Sequence, residues 1–487
     1  MAISEDTFFL DPGFEGTLQK QIQSLVAEGI LSGRFRPGEK LPSSRRLAAH
    51  LEISRITVTL AYTELLADDY IIARGRSGYY VSDTAPQPRI TQAAGKHTDT
   101  VDWDRVIGTR YTEGRQLEKP SDWNRYRYPF IYGQTDPSLF DHANWRLCAL
   151  QALGLRNFEA MTADYFERDD PKLVEFIARH SLPRRGILAG PDEILVTLGA
   201  QNALWLASEV LLKSGRKAVI ESPCYPGLAG ILTLNGCQVE AVDVDQGGLP
   251  VSAIPTGADV VFATPSHHCP TSVTMPLERR RALLKRAAED DFLVVEDDYE
   301  FEMSFLTPPS PALKSLDKEG RVIHIGSFSK SLFPGLRLGY MVGSRAFIRE
   351  ARALRATVLR HPPGHVQRTA ATFMSLGHYD ALIKRTATAF GKRRRLMAEA
   401  IRENNLEIAG GGDGGSSFWM KVPEGLDTGA LAMRLRDDSV LIEAGAPFFP
   451  KENPPNGYYR LAYSSIPESR ISEGIRRIAT AIQEARP

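Results

Sequence analysis

Along the first eighty residues the apolar positions recur at helical spacing. Ile22, Leu25, Val26 and Ile30 share one face and predict a helix that stops near Ser32 and Gly33. Leu47 and Leu51 mark a short second helix capped by Ser43 or Ser44, with Ile53 adding a core contact in the turn that follows. Ser54 caps a third helix that turns Val58, Ala61, Tyr62 and Leu65 inward. In YIIARGRSGYYV the pattern changes to two short β runs around a turn containing Gly75 and Gly78, the outline of a wing. Beyond Asp83 periodicity fades into polar, proline-containing sequence such as TAPQPRITQAAGKHTDT, which predicts a linker. From about Gly133 onward the β-rich runs KAVIES, ADVVFATPS, FLVVEDD, RVIHIGS and LGYMVGS alternate with helical patterns, as in an α/β domain with a mainly parallel sheet. The expected organisation is a head at 12–83, a linker at 84–132 and a large domain at 133–487. That domain should have a large lobe at about 165–355 and a small lobe mainly at 356–487.

Composition agrees with more than one domain. A chain of 487 residues, 43% hydrophobic and 24% charged, exceeds what one core normally serves. The opening MAISEDTFFLDPG lacks a basic segment followed by an apolar one, and no apolar run approaches the roughly 20 residues of a membrane helix. A cytoplasmic location, away from any membrane, is therefore expected. Cys148, Cys224, Cys237 and Cys269 are scattered without metal spacing, so reduced thiols are expected and no metal site. The zero formal net charge argues against a chain that coats nucleic acid over its whole surface. Locally the balance differs: eight basic residues face five acidic ones between Arg34 and Arg76.

Two helices joined by a tight turn can set the second in the DNA major groove, with its first turn nearest the base edges. Ser54, Arg55 and Thr57 occupy that turn. Arg45 and Arg46 at the preceding helix start, and Arg74 and Arg76 on the wing, are then candidate phosphate or minor-groove contacts. Any one of these arginines could equally be a solvated surface residue; the ordered set is what carries the reading. The stretch PGEKLPSSRRLAAHLEISRITVTLAYTEL also resembles the GntR-type winged helix-turn-helix, whose pattern is PGxxLPSSRxLAxxLxxSRxTVxxAYxxL. The resemblance implies a double-stranded DNA operator as partner.

The large domain carries a second ordered set. Lys330 lies in HIGSFSKSLFPGLRLGY, just past a strand, where open α/β sheets bind ligands. Asp297 ends the strand upstream, and Tyr299 stands two positions on, on the same side of an extended chain. Gly199, Ala200 and Gln201 open a helix directly after a strand, with backbone N–H groups free to hold an anion. Ser327 and Ser329 flank the lysine, Arg337 follows it, and Tyr225 in ESPCYPG is placed to stack on a planar ring. A lysine for a Schiff base, a carboxylate for a pyridine nitrogen, a hydroxyl for a ring oxygen and donors at a helix start are what pyridoxal 5'-phosphate requires. Singly, the lysine would read as exposed, the tyrosine as packing and EDDY as a solvated turn or a metal ligand. Their order in the chain favours the cofactor.

This region resembles the fold-type-I aminotransferases, and the order of the two modules resembles the MocR/GabR subfamily of GntR regulators. The fold class implied is a mostly α winged helix-turn-helix with a small β wing, joined to an α/β aminotransferase-like domain. The resemblance assigns Lys330 to the Schiff base, Asp297 to the pyridine nitrogen, Tyr299 to the ring oxygen, Arg337 to the phosphate and Arg460, in GYYRLAYSS, to the effector's acidic group. Arg460 is expected to be otherwise unpaired. The resemblance also implies a domain-swapped homodimer, hence paired half-sites on DNA. One departure stands out: aminotransferases usually carry Asn-Pro-[TL]-Gly, whereas this chain has SHHCPTS, with Cys269 and Ser272 at the outer positions. His267 or His268 is a candidate polar contact there. The expectation is a regulator, not an enzyme, in which an amine effector displaces Lys330 to form an external aldimine, residual transaminase activity being compatible with it. The alternatives are an active aminotransferase with a DNA-binding domain and a pyridoxal-phosphate sensor controlling vitamin B6 synthesis. One arginine does not distinguish a carboxylate from a sulfonate, so γ-aminobutyrate, taurine and an ectoine breakdown product remain open. The taurine-like case is preferred without a residue-level reason.

Overall fold

The computed structural model describes residues 2–86, 101–109, 111–113, 117, 119–164, 166–306, 310–411 and 414–485. They form two compact units, Met1–Arg110 and Tyr111–Pro487.

In the first unit, α1 (Leu18–Leu31), α2 (Ser44–His50) and α3 (Arg55–Ala67) begin at Thr17, Ser43 and Ser54, whose hydroxyls accept from Lys20, Arg46 and Ile56 N–H. These caps satisfy amide donors that a helix start leaves free. The wing is an antiparallel pair, β1 (Ile71–Ala73) and β2 (Tyr79–Val81). Ile22, Val26, Ile30, Leu47, Val58, Ala61, Tyr62 and Leu65 are all buried in one core. The sequence pattern missed an N-terminal arm. Phe8 is buried against Phe35 with ring centroids 5.6 Å apart, and Ala2 bridges to Lys40.

The second unit holds a short β3 (Tyr128–Pro129) and then a seven-stranded sheet. Its strands are β4 (Ile194–Thr197), β5 (Lys217–Ser222), β6 (Gln238–Asp243), β7 (Val260–Ala263), β8 (Leu293–Asp298), β9 (Val322–Ser327) and β10 (Gly339–Val342). They lie in the order β4-β10-β9-β8-β7-β5-β6. Only β10 runs antiparallel to its neighbours. The sheet packs apolar side chains into cores on both faces, which is why these strands read as unbroken apolar runs. The small lobe adds β11 (Glu407–Gly410), β12 (Ser417–Lys421), β13 (Val440–Leu441), β14 (Glu443–Ala444) and β15 (Tyr458–Ala462). There β11-β12-β15-β14 form an antiparallel sheet, and β13 pairs in parallel with β3. Among the described residues no helix is long and apolar enough to cross a membrane.

The linker expected at 84–132 requires correction. Residues 87–100 lie outside the described residues, but Tyr128, Phe130, Ile131 and Tyr132 are buried in the second unit, and Phe130 C=O accepts from Ala462 N–H. The domain therefore starts well before Gly133. Its first apolar run, YPFIY, fills the small-lobe core and is too short to show a period.

At one end of the large sheet Asp169 is buried between two arginines of the helix Arg345–Leu359. It accepts from Arg355 at 2.6 Å, Arg352 at 2.8 Å and the amide of Val196 at 3.2 Å. Removing one partner of a buried pair strands the other charge, so Asp169→Ala should cost about 3–5 kcal/mol. The exposed pair Arg179–Glu175 should be worth less than about 1 kcal/mol. Urea midpoints of Asp169→Ala and Arg179→Ala test this contrast, and similar shifts in both would refute it.

Candidate functional site

The carboxyl ends of β4, β8 and β9 open on a cavity of about 320 Å³. It is lined by Ala200, Gln201, Tyr225, Asp297, Tyr299, Ser327, Ser329, Lys330, Arg337 and Arg460, so residues spread over the whole domain converge there. Gly199, at φ +84°, caps the helix Ala200–Leu211; a Cβ added to it would come within 3.4 Å of the Arg337 guanidinium. The helix start is thus a cradle with N–H donors on one side and a guanidinium on the other, suited to a phosphate. Arg337 is held there by donating to Leu198 C=O at 3.0 Å.

Lys330 reaches over the ring of Tyr132, its Nζ 4.3 Å from the centroid. Gly133, at φ +75°, lets the chain pass this amine; a Cβ there would sit 2.4 Å from Nζ. Burial, reinforced by the positive charge of Lys119, lowers the amine to about 8, so a minor neutral, nucleophilic fraction exists near neutral pH. Asp297 lies at the cavity floor with Oδ1 buried and lacking a hydrogen-bond partner. Burial, with repulsion from Asp298 and Glu221, pushes its carboxyl up to about 7. An unpartnered carboxylate oxygen in such a place calls for a cationic N–H, which a pyridinium supplies. Ser329 Oγ is likewise buried without a partner. Tyr225 donates to Gln201 Oε1 at 3.2 Å, and Tyr299 to His267 C=O at 3.1 Å, so both rings are held in place.

Two expectations change. Arg460 is not unpaired: its Nε donates to Glu443 Oε2 at 2.8 Å across the β14–β15 pair, and its guanidinium lies 4.2 Å from the Tyr132 centroid and 4.7 Å from that of Phe448. His267 and His268 do not line the cavity. His267 Nδ1 sits 3.1 Å from Glu300 C=O and burial lowers the ring to about 4, while His268 Nδ1 sits 2.7 Å from Thr271 Oγ1. Ser272 adopts φ +58°, the left-handed conformation that glycine takes without strain, and donates to Ser417 C=O at 3.2 Å. Cys269 does line the cavity, its thiol pushed up to about 11 by burial, and it offers no amide donor where the aminotransferase asparagine would. Lys119, Tyr132, Phe448 and Glu443 were not found from sequence. Of these, only Glu443 carried a usable signal, an opposite charge facing Arg460 across an antiparallel pair.

In the first unit, Ser54, Arg55 and Thr57 form the start of α3 with Arg55 exposed, and Arg45 is exposed on α2. Arg46 is already engaged: its Nε donates to Glu5 Oε1 at 3.2 Å, so the N-terminal arm places a carboxylate on an expected phosphate contact. Arg74 stacks on Tyr80 at 4.8 Å and lies 3.9 Å from Asp83. The Arg76 side chain lies outside the described residues.

Residues 18–81 match the family model for bacterial regulatory proteins of the gntR family, and 148–478 match that for class I and II aminotransferases. The chain is 57% identical to the HTH-type transcriptional regulator TauR of Rhodobacter capsulatus, covering 99% of this chain and 100% of that one. It belongs to the MocR/GabR-type GntR regulators. A more distant relative is the probable rhizopine catabolism regulatory protein MocR of Rhizobium meliloti, 26% identical, covering 97% of this chain and 95% of that one. Among solved structures, kynurenine aminotransferase of Pyrococcus horikoshii superposes with a TM-score of 0.70 at 26% identity, over 79% of this chain and 98% of that one. LysN, the α-aminoadipate aminotransferase of Thermus thermophilus, superposes with a TM-score of 0.70 at 25% identity, over 79% and 99%. The first was solved with PMP and the second with a phosphopyridoxyl–leucine adduct. In this MocR/GabR-type chain the winged helix-turn-helix binds DNA and the aminotransferase-like domain takes pyridoxal phosphate. The cofactor supplies an aldehyde for primary amines and an electron-withdrawing ring. Lys330, Asp297, Gly199 and Arg337 have the chemistry to hold it.

Two outcomes follow. In cofactor-free protein the folded Asp297 keeps its proton to about pH 7, whereas its ordinary value is 3.8. The folded state thus binds more protons across that window, and stability should fall as pH rises through it. Urea midpoints over this range should decline in wild type and decline less in Asp297→Asn; equal slopes would contradict the assignment. On DNA, Arg55→Ala should weaken specific binding by about 1–3 kcal/mol, and Arg46→Ala should weaken all sequences alike. Glu5→Gln should strengthen binding to all sequences by freeing Arg46. Gel shifts on upstream intergenic and unrelated DNA separate the three, and unchanged binding in an Arg46/Arg55 double variant would displace the interface.

Proposed function

We propose that this regulator senses a small primary amine bearing an anionic group, and that the aminotransferase-like domain works as a receptor, not as an enzyme. One observation carries the reading: a single cavity holds the Lys330 amine and the Arg460 guanidinium, so a ligand reaching both must pair an amine with an acid. The cavity volume, about 320 Å³, lies at the low end for ligand sites and leaves room for only a small molecule beside the cofactor. Cys269 in place of the family asparagine supports sensing over turnover, because a buried thiol cannot donate as an amide does. The effector moves the DNA-binding equilibrium only through contacts that differ between the free and bound states.

The active species is a homodimer. The helix His142–Ala152 turns Leu147 and Leu150 outward, and Leu153, Leu155 and Phe158 follow, all exposed. An apolar face of this kind is what a second copy would cover. Two DNA-binding heads per dimer then require paired half-sites.

The purified protein should be yellow, and borohydride followed by peptide mapping should place a pyridoxyl group on Lys330. An amine with an acidic group should shift the visible band and alter DNA binding together. Arg460→Ala should weaken that response about ten- to a hundredfold, as expected for losing a charge-assisted contact. Keto product accumulating in catalytic amounts would favour an aminotransferase. DNA binding that answers to pyridoxal phosphate alone would favour a cofactor sensor.

A further inference from the structure

The cavity has a second cation that the family assignment of Arg460 does not include. Lys119, in the segment ahead of β3, lines the same space as Arg460. Its Nζ donates to Tyr132 C=O at 2.6 Å and lies 3.2 Å from Glu443 Oε1. The other oxygen of Glu443 accepts from Arg460 Nε at 2.8 Å and Tyr132 N–H at 3.3 Å. One buried carboxylate thus joins two cations, and it is not among the groups lining the cavity. The cations stand in front and the carboxylate behind.

An ammonium has three N–H donors and a guanidinium five. Lys119 uses one on Tyr132 and points another at Glu443; Arg460 spends its Nε on Glu443, while among the described residues its Nη1 donates only to the Cys269 sulfur at 3.9 Å, a weak acceptor. The Tyr132 and Phe448 rings beside the guanidinium limit its freedom to turn. Two positive groups and one negative one leave a single net positive charge to be met by ligand. Of the other charged groups at or behind the cavity, Glu300 accepts from Ser416 Oγ and burial raises its carboxyl towards the neutral form, Arg337 is committed to the Gly199 helix start, and Lys330 and Asp297 to the cofactor.

We infer that Lys119 is a second effector-binding cation and that Glu443, from behind, sets the charge so that amines with one negative group are selected over those with two or none. This rests on the sensing function proposed above. A second acidic group would meet no further cation there, and an amine without one would leave the surplus positive charge unanswered. Glu443 acts through its partners and is a positioning residue, while Lys119 touches ligand.

The test is titration of the visible band, with parallel gel shifts on operator DNA, in wild type, Lys119→Met and Glu443→Gln. β-Alanine and 2-aminoethanesulfonate carry one negative group, aspartate and cysteate carry a second, and ethylamine carries none. Wild type should prefer the first pair by about tenfold over the others, the size expected for one charge-assisted contact. In Lys119→Met the preference over ethylamine should fall by about tenfold. In Glu443→Gln aspartate and cysteate should gain on the singly charged probes. Unchanged preference in Lys119→Met overturns the inference alone, because it shows Lys119 only pins its segment. If Lys119→Met takes up no cofactor, Glu443→Gln decides, and no gain for the doubly charged probes overturns it. A wild type that answers to none of the five amines overturns the sensing function as well.

Discussion

Parallel strands must all finish at the same edge of their sheet, and the second unit is organised around that constraint. β8 and β9 are neighbours running the same way, so Asp297 at the end of one and the Ser327–Lys330 segment past the end of the other are brought together from distant points in the chain. β4 ends at the same edge because β10 is inserted antiparallel between it and β9. The Gly199 helix start therefore arrives beside Ser329 and Arg337. The anion cradle, the amine and the carboxylate share one cavity because of strand direction.

Burial then gives these groups their chemistry. Several carboxylates around the sheets are buried and met by an opposite charge: Asp298 by Arg185 at 2.6 Å, Asp169 by Arg355, Glu443 by Arg460. Asp297 is the contrast: burial and the neighbouring carboxylates Asp298 and Glu221 push its carboxyl up instead of down. A folded protein keeps such a group at a cost in stability. Its retention makes sense as a socket for a ring cation, and the same burial lowers the Lys330 amine into a reactive range.

The SHHCPTS loop departs from the aminotransferase pattern at two positions, Cys269 and Ser272. Ser272 takes a left-handed backbone, which glycine adopts without strain, and fastens the loop to Ser417. From this loop Cys269 presents its thiol to the cavity. His267 and His268 turn away into buried hydrogen bonds, so they act as struts.

Local rules were enough to read the winged helix from sequence. Its serine caps on α2 and α3 and the inward faces of α1 and α3 depend on residues within a turn or two of each other. Lys330, Asp297, Gly199 and Arg337 were legible for a related reason: each stands at a strand end or helix start, and those ends are marked in the sequence by a change of pattern. Glu443, Lys119 and Tyr132 were not, nor was Glu5 on Arg46. Glu443 meets Arg460 through strand pairing across a 17-residue separation, and Lys119 meets Glu443 and Tyr132 through a segment with no periodicity. Glu5 reaches Arg46 only because Phe8 anchors the arm in the core. The sequence by itself determined the elements and the residues at their ends, which are set by local hydrogen bonding and burial period. Only the tertiary structure decided which charges meet, because ion pairing depends on distances in space that no local pattern encodes.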